Sequence, residues 1–512
     1  MAPEQHNPLD PTKIHIEHDH VRFWEEERDF QDIMAEQLRH APWLAISIVF
    51  HVIVGLILLQ ISTGSRLKDE EMVIQAQKQE VVEEPEEEPE EEPEEEPEEV
   101  EPEPVIQDAE ITEEVEEDIE MTEEETPTDS NFEKDAFNNA IGLGGGAGGK
   151  FGGRGGGRGR LGRKGGRQAA QAILIGLEWL KKHQDEDGSW DVDEFMKHCP
   201  ANDVCDGPGN PINDVGITGL ALLAFLGDGS TMRSGPYKLV VKKGINWLRK
   251  QQDDDGLLGT DTGHTFMYNH AIAALAMIEG YGLSKYRTLR PYAQKAVNYI
   301  LKARNPYKVW RYYPHDGNND SSVTGWMVFA LKSAMDFKLK VDKDALKYAE
   351  AWFDEVTDPN TGQCGYTKKG EGSAREPGAE EKFPASKTEA LTAVGLLARI
   401  FLGQTPDQNP ILLAAADTML KKPPVWNPAD GSIDLYYWYY GSYAMFQMGG
   451  RHWRGWRKSM EPAMIKSQRK DGHAKGSWDP ISVWGESGGR VYSTAISVLC
   501  LEVYYRYSKL IR

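Results

Sequence analysis

A repeat of helical pairs fills the C-terminal two-thirds of the chain and constrains its fold more than any other feature. The segment 176–190 reads GLEWLKKHQDEDGSW, 244–256 reads GINWLRKQQDDDG, and 468–478 reads QRKDGHAKGSW. The first two copies show an amphipathic helix that ends in a polar turn, where glycine supplies the positive φ angle that closes it. The third copy repeats the turn. A unit of this kind buries its apolar face by stacking against its neighbours, so the repeat predicts an array.

A second helix follows each turn, and its start recurs at a regular interval. The successive starts are 52, 54, 64, 54 and 52 residues apart, at Thr218, His270, Thr324, Thr388, Ser442 and Thr494. These second helices are apolar on nearly all sides, whereas the first helices carry a charged face. The pattern predicts an all-α domain over 168–512, built of about six helical hairpins with the apolar helices in an inner ring.

The turn Gln184-Asp-Glu-Asp-Gly188-Ser-Trp190 resembles the QW motif of the terpene cyclase and prenyltransferase family, which includes the squalene cyclases. The resemblance covers about 168–510 and implies an (α/α)6 toroid, two concentric rings of helices around a cavity. Later copies depart from the motif: the turn at Gln252 lacks the Trp, the turn at Gln468 has it displaced to Trp478, and the turns of the third to fifth units are degenerate. In that family the QW turns hold repeats together, so the resemblance implies a fold and not an activity.

Three chemistries known for this fold lack their signatures here. The string nearest to the Asp-x-Asp-Asp acid of the cyclases is Asp191-Val-Asp193-Glu194, at the rim of the first unit. Cys364 lies in a turn like that of a prenyltransferase zinc ligand, but the sequence offers it no Asp or His companions. The Gly-Cys-Gly-Glu-Gln string of the thioester toroids is missing. We therefore expect no cofactor and no metal, and the sequence leaves open whether the toroid is an enzyme.

Cys199 and Cys205 form a close pair in the first unit, next to His198 and two aspartates. A metal loop is one interpretation, but the spacing suits no common zinc module. In an oxidising compartment we expect a local disulfide between the two cysteines.

Polar residues recur at the starts of the inner helices, where backbone N–H groups and the positive ends of the helix dipoles converge on one mouth of the cavity. N-capping explains several of them. Histidine, lysine, arginine and tyrosine are poorer caps and would suit an anionic, sugar-like or peptide ligand. The candidate ligand residues are Asp214, Thr218, Thr324, Lys387, Tyr440, Arg490 and Tyr492, and the candidates for general acid or base catalysis are His264, His270, Asp320 and Glu389.

The net charge of −25 belongs to one segment. Residues 81–130 hold 27 of the 82 acidic residues and no Lys or Arg, so the rest of the chain is nearly neutral. Within 83–103 a Pro-Glu-Glu-Glu unit repeats, and proline and like charges both extend a chain. We predict a disordered acidic spacer over 63–135 and a flexible Gly/Arg-rich linker over 136–167. The linker's RGG spacing could also bind RNA.

An apolar run of 20 residues without a formal charge, 43–62, reads WLAISIVFHVIVGLILLQIS. It is long enough to cross about 30 Å of hydrocarbon, which predicts a single transmembrane helix. Ser47 and His51 lie one helical turn apart within it. An ionisable residue at this depth is a candidate for function, and a neutral imidazole bonded to backbone or a helix partner is the alternative.

Pro42-Trp43, Ser47 and His51, followed by the Pro/Glu-rich spacer, resemble the anchor of TonB-type energy transducers. This resemblance covers about 60 residues. It implies that the helix docks on proton-driven motor subunits of the ExbB/ExbD type, with 1–42 in the cytoplasm and the rest of the chain in the periplasm. The C-terminal domain of that family is not recognisable here.

Together the patterns predict a single-pass protein of the bacterial inner membrane whose periplasmic toroid acts as a binding or interaction module. No nucleic-acid partner is expected, because the chain outside the acidic block is nearly neutral. The alternative function is an enzyme acting on a polysaccharide or an isoprenoid lipid in the toroid cavity. A purely structural envelope spacer is a third interpretation.

Overall fold

The computed structural model describes residues 157–163 and 166–507, which lie within the unit Val115–Arg512. The predicted membrane span, the acidic spacer and most of the Gly/Arg-rich linker lie outside these residues. Within the described ranges no helix is both long enough and apolar enough to cross a membrane. The α-helices in chain order are α1 (Gly157–Arg163), α2 (Arg167–Lys182), α3 (Asp214–Gly227), α4 (Lys238–Lys250), α5 (Phe266–Ser284), α6 (Arg290–Ala303), α7 (Ser321–Asp336), α8 (Lys343–Val356), α9 (Ala390–Phe401), α10 (Ile411–Leu420), α11 (Leu435–Met448), α12 (Gly450–Ser467), α13 (Gly485–Leu501) and α14 (Val503–Arg506).

The helices form two concentric rings. In the inner ring α3, α5, α7, α9, α11 and α13 each contact the next, and α13 returns to contact α3. The outer helices α2, α4, α6, α8, α10 and α12 pack on the inner ones in the same order. Across the described residues the secondary structure is helical apart from turns and two isolated bridges. The all-α toroid of six helical hairpins is therefore confirmed.

The two rings differ in burial as their sequences predict. All but two residues of α3 are buried, whereas α4 buries one stripe, with Lys238 and Leu239 facing solvent. Gly219 in α3 lets the inner helices approach closely, because a Cβ at this position would lie 2.8 Å from the Cα of Ala273 in α5. The inner helices are covered on all sides by other helices, and for this reason their residues are apolar all around the helix.

The glutamines of the first, second and sixth QW turns link one outer helix to the next. Gln184 Nε2 donates to Gly188 O (2.9 Å) in its own turn and to Val240 O (3.0 Å) in α4. Gln468 Nε2 likewise donates to Gly476 O (2.9 Å) and, across the ring closure, to Ala172 O in α2 (2.8 Å). The turn glycine of the sixth unit is therefore Gly476, two residues before Trp478, in register with the first unit. We call the contact of α12 and its turn with α2 the seam.

The third unit keeps part of the motif although its sequence is degenerate. Trp310 Nε1 donates to Ile300 O (2.8 Å), as Trp190 Nε1 donates to Leu180 O (2.8 Å). Arg304 takes the place of the glutamine, since its Nη1 donates to Lys308 O four residues later (2.9 Å). A guanidinium can donate as an amide does, so the turn survives the substitution.

The end of the predicted flexible linker is helical instead. Leu161 in α1 is buried against the core, and Arg158 Nε lies 2.9 Å from Asp228 Oδ1 at the end of α3. One apolar side chain and one ion pair thus attach this glycine-rich segment to the toroid.

Candidate functional site

A cavity of about 150 Å³ opens at one mouth of the toroid, among the starts of the inner helices. Ile217 of α3, Asn269 of α5, Ser322 of α7 and Tyr436 of α11 line it from below. The segment 373–377, from the connection between α8 and α9, lines it from another side. The cavity therefore lies where the helix starts converge, as the repeat pattern predicts.

Aromatic side chains make up a third of the residues that line the cavity. Trp326 lies on the first turns of α7 and is supported by Tyr439, whose ring stacks on it with centroids 5.7 Å apart. At the opening, His264 packs edge-on against Tyr312, with 5.5 Å between centroids. The seven aromatic residues in the wall are Tyr268, Tyr312, Trp326, Tyr366, Tyr436, Trp484 and Tyr492.

A buried carboxylate lies behind one of these rings. Asp320 is fully buried, and its Oδ1 caps α7 by accepting from Val323 N (2.8 Å). Its Oδ2 accepts from the hydroxyl of Tyr366 (3.3 Å), and the hydroxyls of Tyr366 and Tyr312 are hydrogen-bonded to each other. Arg311 lies over both tyrosine rings, with its Nε 3.8 Å from Asp320 Oδ2. A chain of polar groups thus leads from Asp320 to the cavity.

Burial determines the protonation of this group. Loss of solvent raises the pKa of Asp320 to about 7, against the opposing effects of the Val323 N–H and the Arg311 charge. Burial, followed by the charge of Asp320, also raises the pKa of Tyr366 above its ordinary value. Near neutral pH Asp320 therefore exchanges a proton readily, while Tyr366 stays neutral.

The segment 373–377 brings two charged residues to the cavity. The Arg375 side chain is buried, and its Nε donates to Phe383 O (2.8 Å). Glu376 accepts from the hydroxyl of Ser487, which lies on the first turn of α13. Through these contacts the long connection after α8 reaches the sixth unit across the mouth.

Three of the residues singled out in the sequence meet at this site. His264 and Tyr492 line the cavity, and Asp320 touches it through Tyr366. The Tyr492 hydroxyl is buried and finds no hydrogen-bond partner among the described residues. A buried hydroxyl in that state is available to a ligand.

His270 lies in α5, where it binds the turn of its own repeat and does not line the cavity. Its Nδ1 accepts from Leu258 N (3.0 Å), and its Nε2 donates to Ala296 O (3.2 Å). Thr218 holds the equivalent position in the first unit, where its Oγ1 accepts from Trp190 N (3.0 Å). Burial lowers the pKa of His270 to about 4, so the ring is neutral and structural.

Two other charged candidates also serve the framework. Glu389 accepts from Lys422 Nζ (2.6 Å) and from Gln363 Nε2 (3.1 Å), outside the cavity wall. Arg490 Nη1 donates to Asp479 Oδ1 (2.7 Å), and its Nε donates to Asp206 O (2.9 Å).

The remaining candidates are likewise absent from the cavity wall. Asp214 accepts from Val192 N (3.0 Å), and burial raises its pKa to about 7. Lys387 is exposed, and Thr324 is fully buried. Tyr440 packs edge-on behind Trp326.

Sequence reasoning missed most of the wall, including Tyr312, Trp326, Tyr366 and Arg375. Tyr312 and Tyr366 lie in turns that depart from the motif, and Trp326 lies two residues beyond an aligned helix start. One signal was available, because the longest interval between helix starts, 64 residues, contains both Tyr366 and Arg375.

Cys199 and Cys205 are free thiols in the structure, in contrast to the expected disulfide. Together with His183 and His473 they form a group whose ligand atoms all lie within 4.8 Å of one another. The carboxylates of Asp191, Asp193 and Asp214 form a second, half-buried group of this kind.

No protein-family model matches the chain. No curated protein matches it either. Solved structures to which it is similar include the cellobiose 2-epimerase of Bacillus thermoamylovorans, at 13% identity and a TM-score of 0.45 over 66% of this chain and 98% of that one. An α-1,6-mannanase of Salegentibacter matches at 11% identity and a TM-score of 0.45, over 66% and 98%. A type II terpene cyclase of Scytonema matches at 13% identity and a TM-score of 0.40, over 65% and 96%.

Proposed function

We propose that the toroid is a saccharide-binding module and that its ligand occupies the cavity at the mouth. The observation that carries this proposal is the composition of the wall, in which seven aromatic side chains lie among polar side chains that include Asn269, Arg375 and Glu376. Binding sites for small molecules commonly combine a mostly apolar wall with a few polar groups that fix orientation.

A sugar ring matches both parts of this wall. Its C–H faces are apolar and pack on aromatic rings, while its rim of hydroxyls needs donors and acceptors. Asn269, Arg375 and Glu376 supply such groups at the cavity, and the unpartnered hydroxyl of Tyr492 is another. A purely hydrocarbon ligand would leave the buried hydroxyl of Tyr492 without a partner and would shield the polar atoms of the wall from water, which costs free energy.

In this proposal the module is carried by an inner-membrane anchor at 43–62 and faces the periplasm beyond the acidic spacer. The anchor helix would engage motor subunits of the ExbB/ExbD type through Ser47 and His51. We expect crosslinks from the anchor to such subunits in the wild type. His51→Ala should lose these crosslinks, while saccharide binding by the same chain persists. Equal crosslinking in wild type and His51→Ala would contradict this use of His51.

Binding is tested with the full chain in detergent micelles, using cellotriose, chitotriose and α-1,6-mannotriose as probes. We expect at least one trisaccharide to change the tryptophan fluorescence, because Trp326 and Trp484 line the cavity. Trp484→Ala should weaken the affinity about tenfold or more, the effect of losing a central aromatic contact. Tyr307→Ala removes an aromatic ring that is 79% exposed elsewhere and is the matched control.

The proposal fails if no probe binds, or if Trp484→Ala and Tyr307→Ala bind equally well. A loss of binding counts only if the circular dichroism spectrum and melting temperature of the variant match those of the wild type.

The chain of groups from Asp320 through Tyr366 to the cavity favours a second candidate, an enzyme acting on the bound saccharide. A carboxyl group with a pKa near the working pH is suited to general acid or base catalysis. If the toroid is such an enzyme, the wild type converts a bound trisaccharide, and Asp320→Asn and Tyr366→Phe abolish this while retaining affinity. Recovery of the bound probe unchanged after long incubation favours the binding module.

A further inference from the structure

Four potential metal ligands meet at the seam, where the sixth repeat closes the ring onto the first. His183 is the C-cap of α2, and Cys199 and Cys205 lie in the loop that follows it. His473 lies in the turn after α12. His183 is fully buried, and Cys205 is 5% exposed. Cys205 and His473, which meet here, lie 268 residues apart in sequence.

The distances between these ligand atoms fit one tetrahedral ion. His183 Nε2 lies 3.5 Å from Cys199 Sγ and 3.8 Å from Cys205 Sγ, and His473 Nδ1 lies 3.7 Å from Cys205 Sγ. Zinc bonds of about 2.3 Å to sulfur and about 2.0–2.1 Å to nitrogen give nitrogen–sulfur edges of about 3.6 Å in a tetrahedron. These three nitrogen–sulfur distances therefore match edges of a zinc tetrahedron, and all four ligand atoms lie within 4.8 Å of one another.

Hydrogen bonds orient two of the four ligands. The Trp179 carbonyl lies 2.7 Å from His183 Nδ1, and because a carbonyl only accepts, Nδ1 carries the proton and the Nε2 lone pair faces the two sulfurs. Asp203 Oδ2 accepts from His473 N (2.5 Å), which holds the turn of the sixth unit against the loop of the first. Cys205 N donates to Cys199 Sγ (3.4 Å), a contact that suits a thiolate.

We propose that His183, Cys199, Cys205 and His473 bind one zinc ion that fastens the first repeat to the sixth. Two sulfur and two nitrogen ligands match the preference of zinc. Four protein ligands leave no open position, so the ion is structural and takes no part in reactions at the cavity. Binding it releases the two thiol protons, and the ion then protects both sulfurs from oxidation to a disulfide.

The metal content of the full chain, purified in detergent with a thiol-free reductant, tests the site. We expect one zinc per chain by elemental analysis. Cys205→Ser and His473→Ala should each lower the zinc content about tenfold or more. Cys364→Ala removes a buried cysteine far from the seam in sequence and is the matched control, which should retain the zinc.

Cobalt gives a second readout that does not depend on variants that may unfold. After removal of zinc by a chelator, Co²⁺ added to the wild type should produce the visible bands of a tetrahedral site and the near-ultraviolet absorption of cobalt–thiolate bonds. Zinc should displace these bands. Zinc-free protein with both thiols titratable and no cobalt spectrum would overturn the proposal, as would a Cys199–Cys205 disulfide in freshly isolated chain.

Discussion

Each unit has a turn between its outer and its inner helix, and this turn does not have the same role in every unit. The turns of the first and sixth units differ in this respect from those of the third and fourth units. Gln184 and Gln468 bind the next outer helix directly, and the glycines of their turns pack on neighbouring backbone. The connections of the third and fourth units bring Tyr312, Tyr366 and 373–377 to the mouth. The regular turns close the ring, and the degenerate connections of the third and fourth units add part of the cavity wall, beside residues such as His264 and Trp484 from units with regular turns. In a repeat protein the departures from the motif are therefore the place to look for a site.

The largest effect should come from a glycine in a regular turn. Gly476 has a φ of 96°, and a Cβ there would lie 2.3 Å from Ile175 O in α2. Gly476→Ala should therefore lower the free energy of unfolding by roughly 3 kcal/mol or more, through clash and backbone strain together. Urea unfolding of the full chain, followed by circular dichroism, measures this.

Gly378 provides the matched control in an irregular connection. Its φ of 84° is also positive, but nothing lies within 4 Å of a Cβ built there. Gly378→Ala should cost only the backbone strain, about 1 kcal/mol. Equal losses at both positions would show that the regular turns are no more tightly packed than the irregular ones.

The buried carboxylate should make stability depend on pH. Because the folded-state pKa of Asp320 is about 7, above the ordinary value, its contribution is fully present at low pH and is lost as the pH rises through about 7. Asp320→Asn retains a side chain that can cap α7 and removes the titration. Between pH 5 and pH 8 the wild type should lose on the order of 2 kcal/mol relative to the variant.

Melting curves of both proteins across this pH range provide the measurement. A constant difference between wild type and Asp320→Asn from pH 5 to pH 8 would show that Asp320 keeps an ordinary pKa. A gain in the stability of the wild type relative to the variant as the pH rises would also contradict a raised pKa for Asp320.

Substitutions of two histidines, one in the framework and one at the cavity, should change stability by smaller amounts. His270→Leu removes the acceptor for Leu258 N, and leaving that buried group unpaired should cost about 1–2 kcal/mol of stability. His264 is exposed at the opening, so His264→Ala should change stability by less than about 0.5 kcal/mol. Saccharide affinity should fall in His264→Ala and persist in His270→Leu. The opposite assignment of stability and affinity would refute the division of roles.

The ring could be predicted from the sequence because the patterns that specify each hairpin lie within that hairpin. Each hairpin carries its own helix pattern, turn glycine and interval, so six similar units imply the closed array without any long-range contact. His270 and Thr218 even align correctly at the starts of their helices. The sequence did not reveal that both side chains accept a hydrogen bond from a backbone N–H group of the turn. This contact forms only when the turn is folded onto the helix.

The cavity and the seam depend on contacts that sequence spacing does not encode. Tyr366 and Arg375 reach the mouth through a long connection whose path follows no periodicity. Cys199 and Cys205 match no zinc motif on their own, since one of their companions, His473, comes from the last repeat. In both places the closed ring brings residues together that lie far apart in sequence. A local sequence pattern does not predict such contacts.

Hydrogen–deuterium exchange of the full chain, with and without a saturating trisaccharide, tests the central claim most directly. We predict slower exchange in 311–322, 366–377 and 484–492, which contribute to the cavity. We predict unchanged exchange in the regular turns at 184–190, 252–258 and 468–478. Protection confined to the regular turns, or no protection in the cavity segments at saturation, would contradict a saccharide site at the mouth.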